Sequence, residues 1–170
     1  DLLVTGWGRL CLYHNEPNRK GGRQFREVSQ QAGLKDTQWS TSAVWADFNQ
    51  DGWLDLYVCH YADWSQANNP LCKDYQGGGK QDVCPPKQFT AIPHTLYISN
   101  KDGTFRDESL LAGLRGRRKP EDYAKLTHLS SNAIRRLKEA DDKQDFGKGL
   151  GVVAADFNDD GFLDIYVAND

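Results

Sequence analysis

The sequence contains no methionine at all, not even at position 1. The expectation is therefore a processed product, an excised fragment or part of something longer. No run approaches the ~18–20 apolar residues of a membrane span, and the opening DLLVTGWGRL lacks the basic start and apolar core of a signal peptide. Charge of one sign is also lacking. With 24 Asp and Glu against 21 Lys and Arg the net charge is -3, which argues against nucleic acid or an anionic membrane as partner of the whole chain. Catalytic signatures are missing too: there is no G-x-S-x-G, H-E-x-x-H, C-x-x-C-H or phosphate-cradling glycine loop. The GGG at 77–79 is a weak signal, and His14, His60, His94 and His128 stand in unrelated contexts. No catalytic residue is assigned, and the expectation is a protein that is not an enzyme. At 38% hydrophobic residues over 170 positions, the composition is that of one globular domain on the polar side.

What is present is repetition. AVWADFNQDGWLDLYV (43–58) recurs as VVAADFNDDGFLDIYV (152–167), and DLLV at 1–4 matches the end of both. A second module, LYHN (12–15) followed by FREVSQQAGL (25–34), recurs as LYISN (96–100) and FRDESLLAGL (105–114). Phe25 and Phe105 are 80 residues apart, as are Gly33 and Gly113, whereas Asp47 and Asp156 are 109 apart. A short β-rich unit is thus interrupted by two excursions, a Cys-bounded loop at 59–95 and a basic segment at 115–145. Asp102-Gly103 between apolar runs is a hairpin signal. Each repeat reads as strand, acidic loop, strand, strand, hairpin, strand. Repetition of such four-stranded antiparallel units predicts an all-β fold, a partial β-propeller with a helical insert. The chain enters after the first strand of one unit, completes one blade over about 41–109 and stops after the second strand of another. One complete blade and two partial ones cannot close a ring of ~4–8. The rest of the propeller, or a neighbouring subunit, is expected to supply what is missing.

The acidic loops carry the chemistry. Asp47, Asn49, Asp51 and Asp55 place oxygen donors at positions 1, 3, 5 and 9, with glycine at 6 and the Trp53 carbonyl at 7. Asp156, Asn158, Asp160, Phe162 and Asp164 repeat the pattern without a slip. Hard oxygens at alternate positions around a sharp turn suit Ca²⁺, one ion per loop. No Cys or His falls inside either loop, which disfavours transition metals. An EF-hand would need Glu at position 12, where Val58 and Val167 stand. The competing reading is a solvated Asp/Asn/Gly turn.

The DxNxDGxxD loop leading into LDLYV resembles the FG-GAP/VCBS repeats of integrin-α-like propellers. With the LYxN…GxFxxxSxxAGL module, C-x11-C-P-P (72–86) and GKGLGVVAADFNDDGFLDIYVAND (147–170), the chain is similar to the cartilage-acidic-protein-like group, often associated with an ASPIC/UnbV domain. The resemblance covers about 110 of the 170 residues. Cys11 before Leu12 and the long basic insert depart from the pattern, and no ASPIC/UnbV segment occurs in these residues. The resemblance implies an extracytoplasmic (secreted, periplasmic or cell-surface), calcium-stabilised module that binds protein or glycan ligands in adhesion, usually without catalysis. The alternative is an accessory or structural domain of a larger extracytoplasmic enzyme or redox complex.

Cys72 and Cys84 bound a polar, glycine-rich loop, and a disulfide is the expected link, placing the chain in an oxidising compartment. A zinc site is the alternative, but it lacks a second Cys pair. Cys11 and Cys59 read as buried thiols, although a second bridge stays open. In the second insert Pro120, Glu121 and Asp122 form a helix start, with Tyr123, Leu126, Ser130, Ala133 or Ile134 and Leu137 along one face. From 115 to 138 there are eight basic and two acidic residues. The segment is either a docking arm for an acidic partner or a helix lying on its own acidic propeller.

Overall fold

The computed structural model describes residues 1–73, 81–115, 124, 130–132, 134–135 and 147–170. Most of the basic insert, including its proposed helix start and Tyr123, Leu126, Ala133 and Leu137 of its apolar stripe, lies outside the described residues, as does the GGG of the Cys-bounded loop. Within that insert Ala124, Ser131, Asn132, Ile134 and Arg135 are helical, and the Ile134 N–H donates to the Ser130 carbonyl at 3.0 Å.

The complete blade is a four-stranded antiparallel sheet ordered β4 (Ser40–Ala46), β5 (Asp55–His60), β8 (Thr95–Ser99) and β9 (Phe105–Asp107). Before it come β1 (Leu2–Val4), β2 (Cys11–Pro17) and β3 (Arg23–Glu27), which form a three-stranded sheet in that order. After it, β10 (Gly149–Ala155) pairs with β11 (Asp164–Asn169). The register matches the repeats. Val58↔Ala43 and Val167↔Val152 are equivalent pairs across the acidic loops, and Tyr57↔Leu96 and Leu3↔Leu12 are equivalent pairs in the next ladder. The molecule is a partial β-propeller. Small strands β6 (Cys72–Lys73) and β7 (Gln81–Asp82) and a 3-10 turn at Pro86–Gln88 belong to the first excursion.

Strand β5 is buried along its whole length because it has strand neighbours on both edges and sheets against both faces. Leu56 and Val58 are fully buried and join Leu10, Leu12, Ala32, Leu34 and Tyr97 in the core between the first two sheets. Each such aliphatic side chain contributes about 1.5–3 kcal/mol on burial. The third sheet meets the blade through its first strand: the Thr41 hydroxyl of β4 donates to the Gly149 carbonyl of β10 at 2.6 Å. A Cβ at Gly149 would sit 2.8 Å from the His94 ring.

The S-x-x-A-G-L segment that follows the last strand of each unit is a single tight turn. Ala32 N–H donates to Val28 O at 2.8 Å and Leu34 N–H to Ser29 O at 2.9 Å. Ala112 to Glu108 and Leu114 to Ser109 repeat these bonds at 2.9 and 2.8 Å. This is a Schellman-type ending with glycine in the left-handed region. The buried Ser29 hydroxyl accepts the Leu12 N–H at 2.9 Å, and Ser109 accepts the Leu96 N–H at 3.0 Å. Serine thereby ties each turn to the strand two places back.

Gly33 has a second constraint. Its φ is +81°, and a Cβ added there would stand 2.6 Å from the Phe105 carbonyl oxygen of the next blade. Gly21 has the same φ of +81° with open space around it. Gly33→Ala should therefore cost more than the roughly 1–2 kcal/mol of the left-handed backbone alone, and Gly21→Ala only that. Urea denaturation of both variants checks this, and equal losses would show that the blade contact is slack.

Cys72 and Cys84 form a disulfide, with Cα atoms 5.3 Å apart, while Cys11 and Cys59 are free and buried. Burial pushes the Cys59 thiol up to about 12. The two ends of the blade differ. The β4–β5 and β8–β9 turns share one end. At the other end β4 begins, β5 finishes and the Cys-bounded excursion departs, and β9 ends there before the second insert.

Candidate cation-binding loops

Both acidic loops are held by one hydrogen-bond frame. In the first, the Asp51 N–H donates to Asp47 Oδ1 and Asn49 Oδ1, each at 3.0 Å. Gly52 N–H donates to Asp47 Oδ2 at 2.8 Å, and Trp53 N–H to Asp51 Oδ1 at 3.0 Å. In the second, Asp160 N–H reaches Asp156 Oδ1 at 3.1 Å and Asn158 Oδ1 at 3.0 Å. Gly161 N–H reaches Asp156 Oδ2 at 2.8 Å, and Phe162 N–H reaches Asp160 Oδ1 at 2.9 Å. The position-9 carboxylate closes each loop by accepting the position-2 N–H, Phe48 to Asp55 and Phe157 to Asp164, both at 3.1 Å. Gln50 and Asp159 carry φ of 58° and 61°, and Gly52 and Gly161 carry 87° and 86°. Left-handed residues at positions 4 and 6 make the bend sharp, which is why glycine occupies the second.

The position-9 aspartate does more than close its loop. Asp55 is fully buried, and its Oδ1 accepts the Ser99 N–H of β8 at 2.9 Å. Asp1, the equivalent residue in the first repeat, accepts the equivalent N–H of Asn15 at 2.9 Å. The alignment of Asp1 with Asp55 and Asp164 is the sequence signal for this role.

Three contacts at the loops have no such signal in the repeat. Lys101, at the tip of the β8–β9 hairpin, places its Nζ 3.2 Å from Asp51 Oδ2. Gln50 Nε2 donates to the Gly161 carbonyl at 2.6 Å, joining the two loops, and Asn158 Nδ2 donates to Asp160 Oδ2 at 3.0 Å. Burial works against ionisation of Asp51. It is outweighed by the Lys101 ammonium, the Trp53 N–H and Asn49, which hold the carboxyl below its ordinary 3.8. For Asp156 the Gly161 N–H is the main cause of a carboxyl held below 3.8.

Within each loop the side chains that the sequence singles out are linked by hydrogen bonds to the loop backbone. Among the described residues, however, no three His, Cys, Asp or Glu side chains are gathered into a ready-made metal cage. The carboxylates are turned towards backbone N–H groups instead. An ionised carboxylate has about four acceptor sites, so one or two N–H bonds leave capacity on each. The donor set is oxygen throughout, without thiol or imidazole. That chemistry fits a hard cation. Trp53 and Phe162 expose 49% and 58% of their surface beside the loops.

Residues 1–58 match the model of the FG-GAP-like repeat. The chain is also 26% identical over 171 residues to cartilage acidic protein 1 of Mus musculus, an alignment that takes in 95% of this chain and 25% of the mouse protein. The chain therefore spans about a quarter of the length of that relative. Residues 1–58 are thus similar to the FG-GAP-like repeat, and the chain is similar to cartilage acidic protein 1. Among the described residues no helix is long and apolar enough to cross a membrane.

Proposed function

We propose that this FG-GAP-like repeat segment is a calcium-stabilised, non-catalytic binding module of an extracytoplasmic propeller, with one Ca²⁺ in each acidic loop. One observation carries the reading. The same nine-residue oxygen-donor loop occurs twice and keeps its hydrogen-bond frame bond for bond, although the flanking contacts differ. A simple turn needs only one or two of those oxygens. Asp47, Asn49, Asp51, Asp55 and the Trp53 carbonyl would hold the first ion. Asp156, Asn158, Asp160, Asp164 and the Phe162 carbonyl would hold the second. A bound divalent ion offsets the repulsion among the clustered carboxylates.

The two sites should differ in strength. Lys101 competes for Asp51 in the first loop, whereas the second loop adds Asp159 where the first has Gln50. The second site is expected to bind more tightly. The Cys72–Cys84 disulfide supports an oxidising, extracytoplasmic setting. Leu150, Val153 and Tyr166 on β10 and β11 are 50%, 47% and 63% exposed. Such faces fit coverage by further strands of the same propeller or of a neighbouring subunit.

Melting in excess EDTA against millimolar Ca²⁺, with elemental analysis of the purified protein, tests the reading. A site filled to 100 times its Kd adds about 2.7 kcal/mol, so a clear rise in Tm with calcium is expected. An unchanged Tm after thorough chelation, together with no bound metal, would overturn it.

A further inference from the structure

The end of the blade opposite the acidic loops gathers aromatic rings from four separate segments. Trp39 lies edge-on to Tyr61 at 5.1 Å and to Trp64 at 5.8 Å, and Trp7 lies edge-on to Trp64 at 5.5 Å, with planes inclined at 61–72°. Two pockets of about 450 and 580 Å³ share Trp39 and Trp64 as a common wall. Phe89 closes the second pocket, beside Cys84 of the disulfide.

Three observations say what these pockets would take. First, indole donors are already committed: Trp7 Nε1 donates to the Trp64 carbonyl at 3.0 Å and Trp64 Nε1 to Asn69 Oδ1 at 2.9 Å. Those two rings therefore offer a ligand their π-faces and not their N–H groups. Second, the charged side chains among the described lining residues are Asp63 and Asp82, both exposed, with no Lys or Arg. A third carboxylate, Asp170, accepts the Tyr61 hydroxyl at 2.5 Å. Third, the rings meet edge to face and together form one aromatic wall, and the face of such a ring attracts a cation.

We propose that this aromatic pocket receives an arginine side chain of a protein partner, its guanidinium stacked on an indole face and paired with Asp63 or Asp82. Arginine fits better than lysine because its planar cation both stacks on rings and forks onto carboxylates. The proposal rests on the binding-module reading, since it names the partner chemistry of that module, but it does not require calcium in the loops.

The five tryptophans separate the two ideas. Trp7, Trp39 and Trp64 line the pockets, Trp45 packs against the core, and Trp53 sits on the first acidic loop. In ¹H–¹⁵N spectra of the whole chain, a blocked Gly-Arg-Gly-Arg-Gly peptide should move the indole signals of Trp7, Trp39 and Trp64 and leave Trp45 and Trp53 in place. The same peptide with citrulline for arginine, equal in shape but neutral, should move none of them. Trp7→Ala, and separately the Asp63→Asn/Asp82→Asn pair, should each weaken the arginine peptide roughly 2–10-fold. The second variant keeps every ring, so a folding defect in the first does not blunt the test. Equal shifts with citrulline, shifts with neutral cellotetraose instead, shifts confined to Trp53, or no shift would each overturn the proposal. A separate Ca²⁺ titration read at Trp53 reports on the loops alone.

Discussion

Replacing His60 with alanine is expected to cost the folded protein about 3–5 kcal/mol, the usual penalty for removing one partner of a buried charged pair. The His60 side chain is fully buried, and its Nε2 lies 2.7 Å from Asp36 Oδ2, itself 4% exposed. The other ring nitrogen, Nδ1, lies 2.7 Å from the Pro93 carbonyl. Both nitrogens face oxygen acceptors, so a ring donating from both satisfies the site. Its removal strands a carboxylate in the interior and opens a cavity between β5 and the 35–39 segment. Equilibrium urea unfolding measures the loss. Asp36→Ala should show a comparable deficit, and the double variant should lose less than the sum of the two singles. A loss below about 1 kcal/mol for His60→Ala would mean the pair is structurally idle.

Acid should destabilise the protein in two stages, the first well above the carboxylate range. His94 Nδ1 accepts the His60 backbone N–H at 3.0 Å and so must stay unprotonated in the native state. Burial, and secondly the charge on His60, lower the His94 pKa from 6.5 to about 4. Between those values the unfolded chain binds a proton that the folded one refuses. Stability therefore falls as pH drops from 6.5 towards 4. Asp36 acts below that window. Burial disfavours its charge, but the His60 hydrogen bond and charge and the Gln38 N–H outweigh burial and hold it below 3.8. Its contribution is present above 3.8 and is lost as pH falls through the lower folded value. Melting temperatures at pH 7, 5.5 and 4.5 and fixed ionic strength should show the first stage. His94→Asn offers an oxygen to the same N–H without titrating, so it should flatten that stage. An unchanged slope in the variant would assign the acid sensitivity elsewhere.

The blades are legible in the sequence because each is a short run of residues with a fixed spacing. Asp55-Leu-Tyr-Val58 and Asp164-Ile-Tyr-Val167 align without gaps, and β5 and β11 are where that alignment places them. The Cys72–Cys84 bridge is legible because its partners bracket a segment that has little else to hold it. The acidic loops are legible as sharp turns, since position in the loop decides which side-chain oxygen caps which backbone N–H. The Lys101 contact with Asp51 is not, because it depends on how far a neighbouring hairpin reaches. His60 and Asp36, 24 residues apart, carry no periodic signal. The same holds for Trp7, Trp39, Trp64 and Phe89, which come from loops that meet only once the strands have set their ends side by side. Contacts made within a repeat are written in its spacing, and contacts made between loops are not.

The unequal ends of the blade bear on how such a chain can change over evolutionary time. The two acidic loops keep one length, and Asp51 is linked to Lys101 and Gln50 to Gly161 across that end, while the neighbouring hairpin is four residues longer in the first unit (Asn15↔Phe25) than in the second (Ser99↔Phe105). An insertion in an acidic loop would break several bonds of its frame at once. At the other pole the chain already departs for long stretches, after His60 and after Arg115, and returns at Thr95 and Gly147 with the strands in register. New length is tolerated on that side because the ladders close before it begins. The acidic loops are thus the element of the fold least able to change length, and the opposite pole is where this chain accommodates its long excursions.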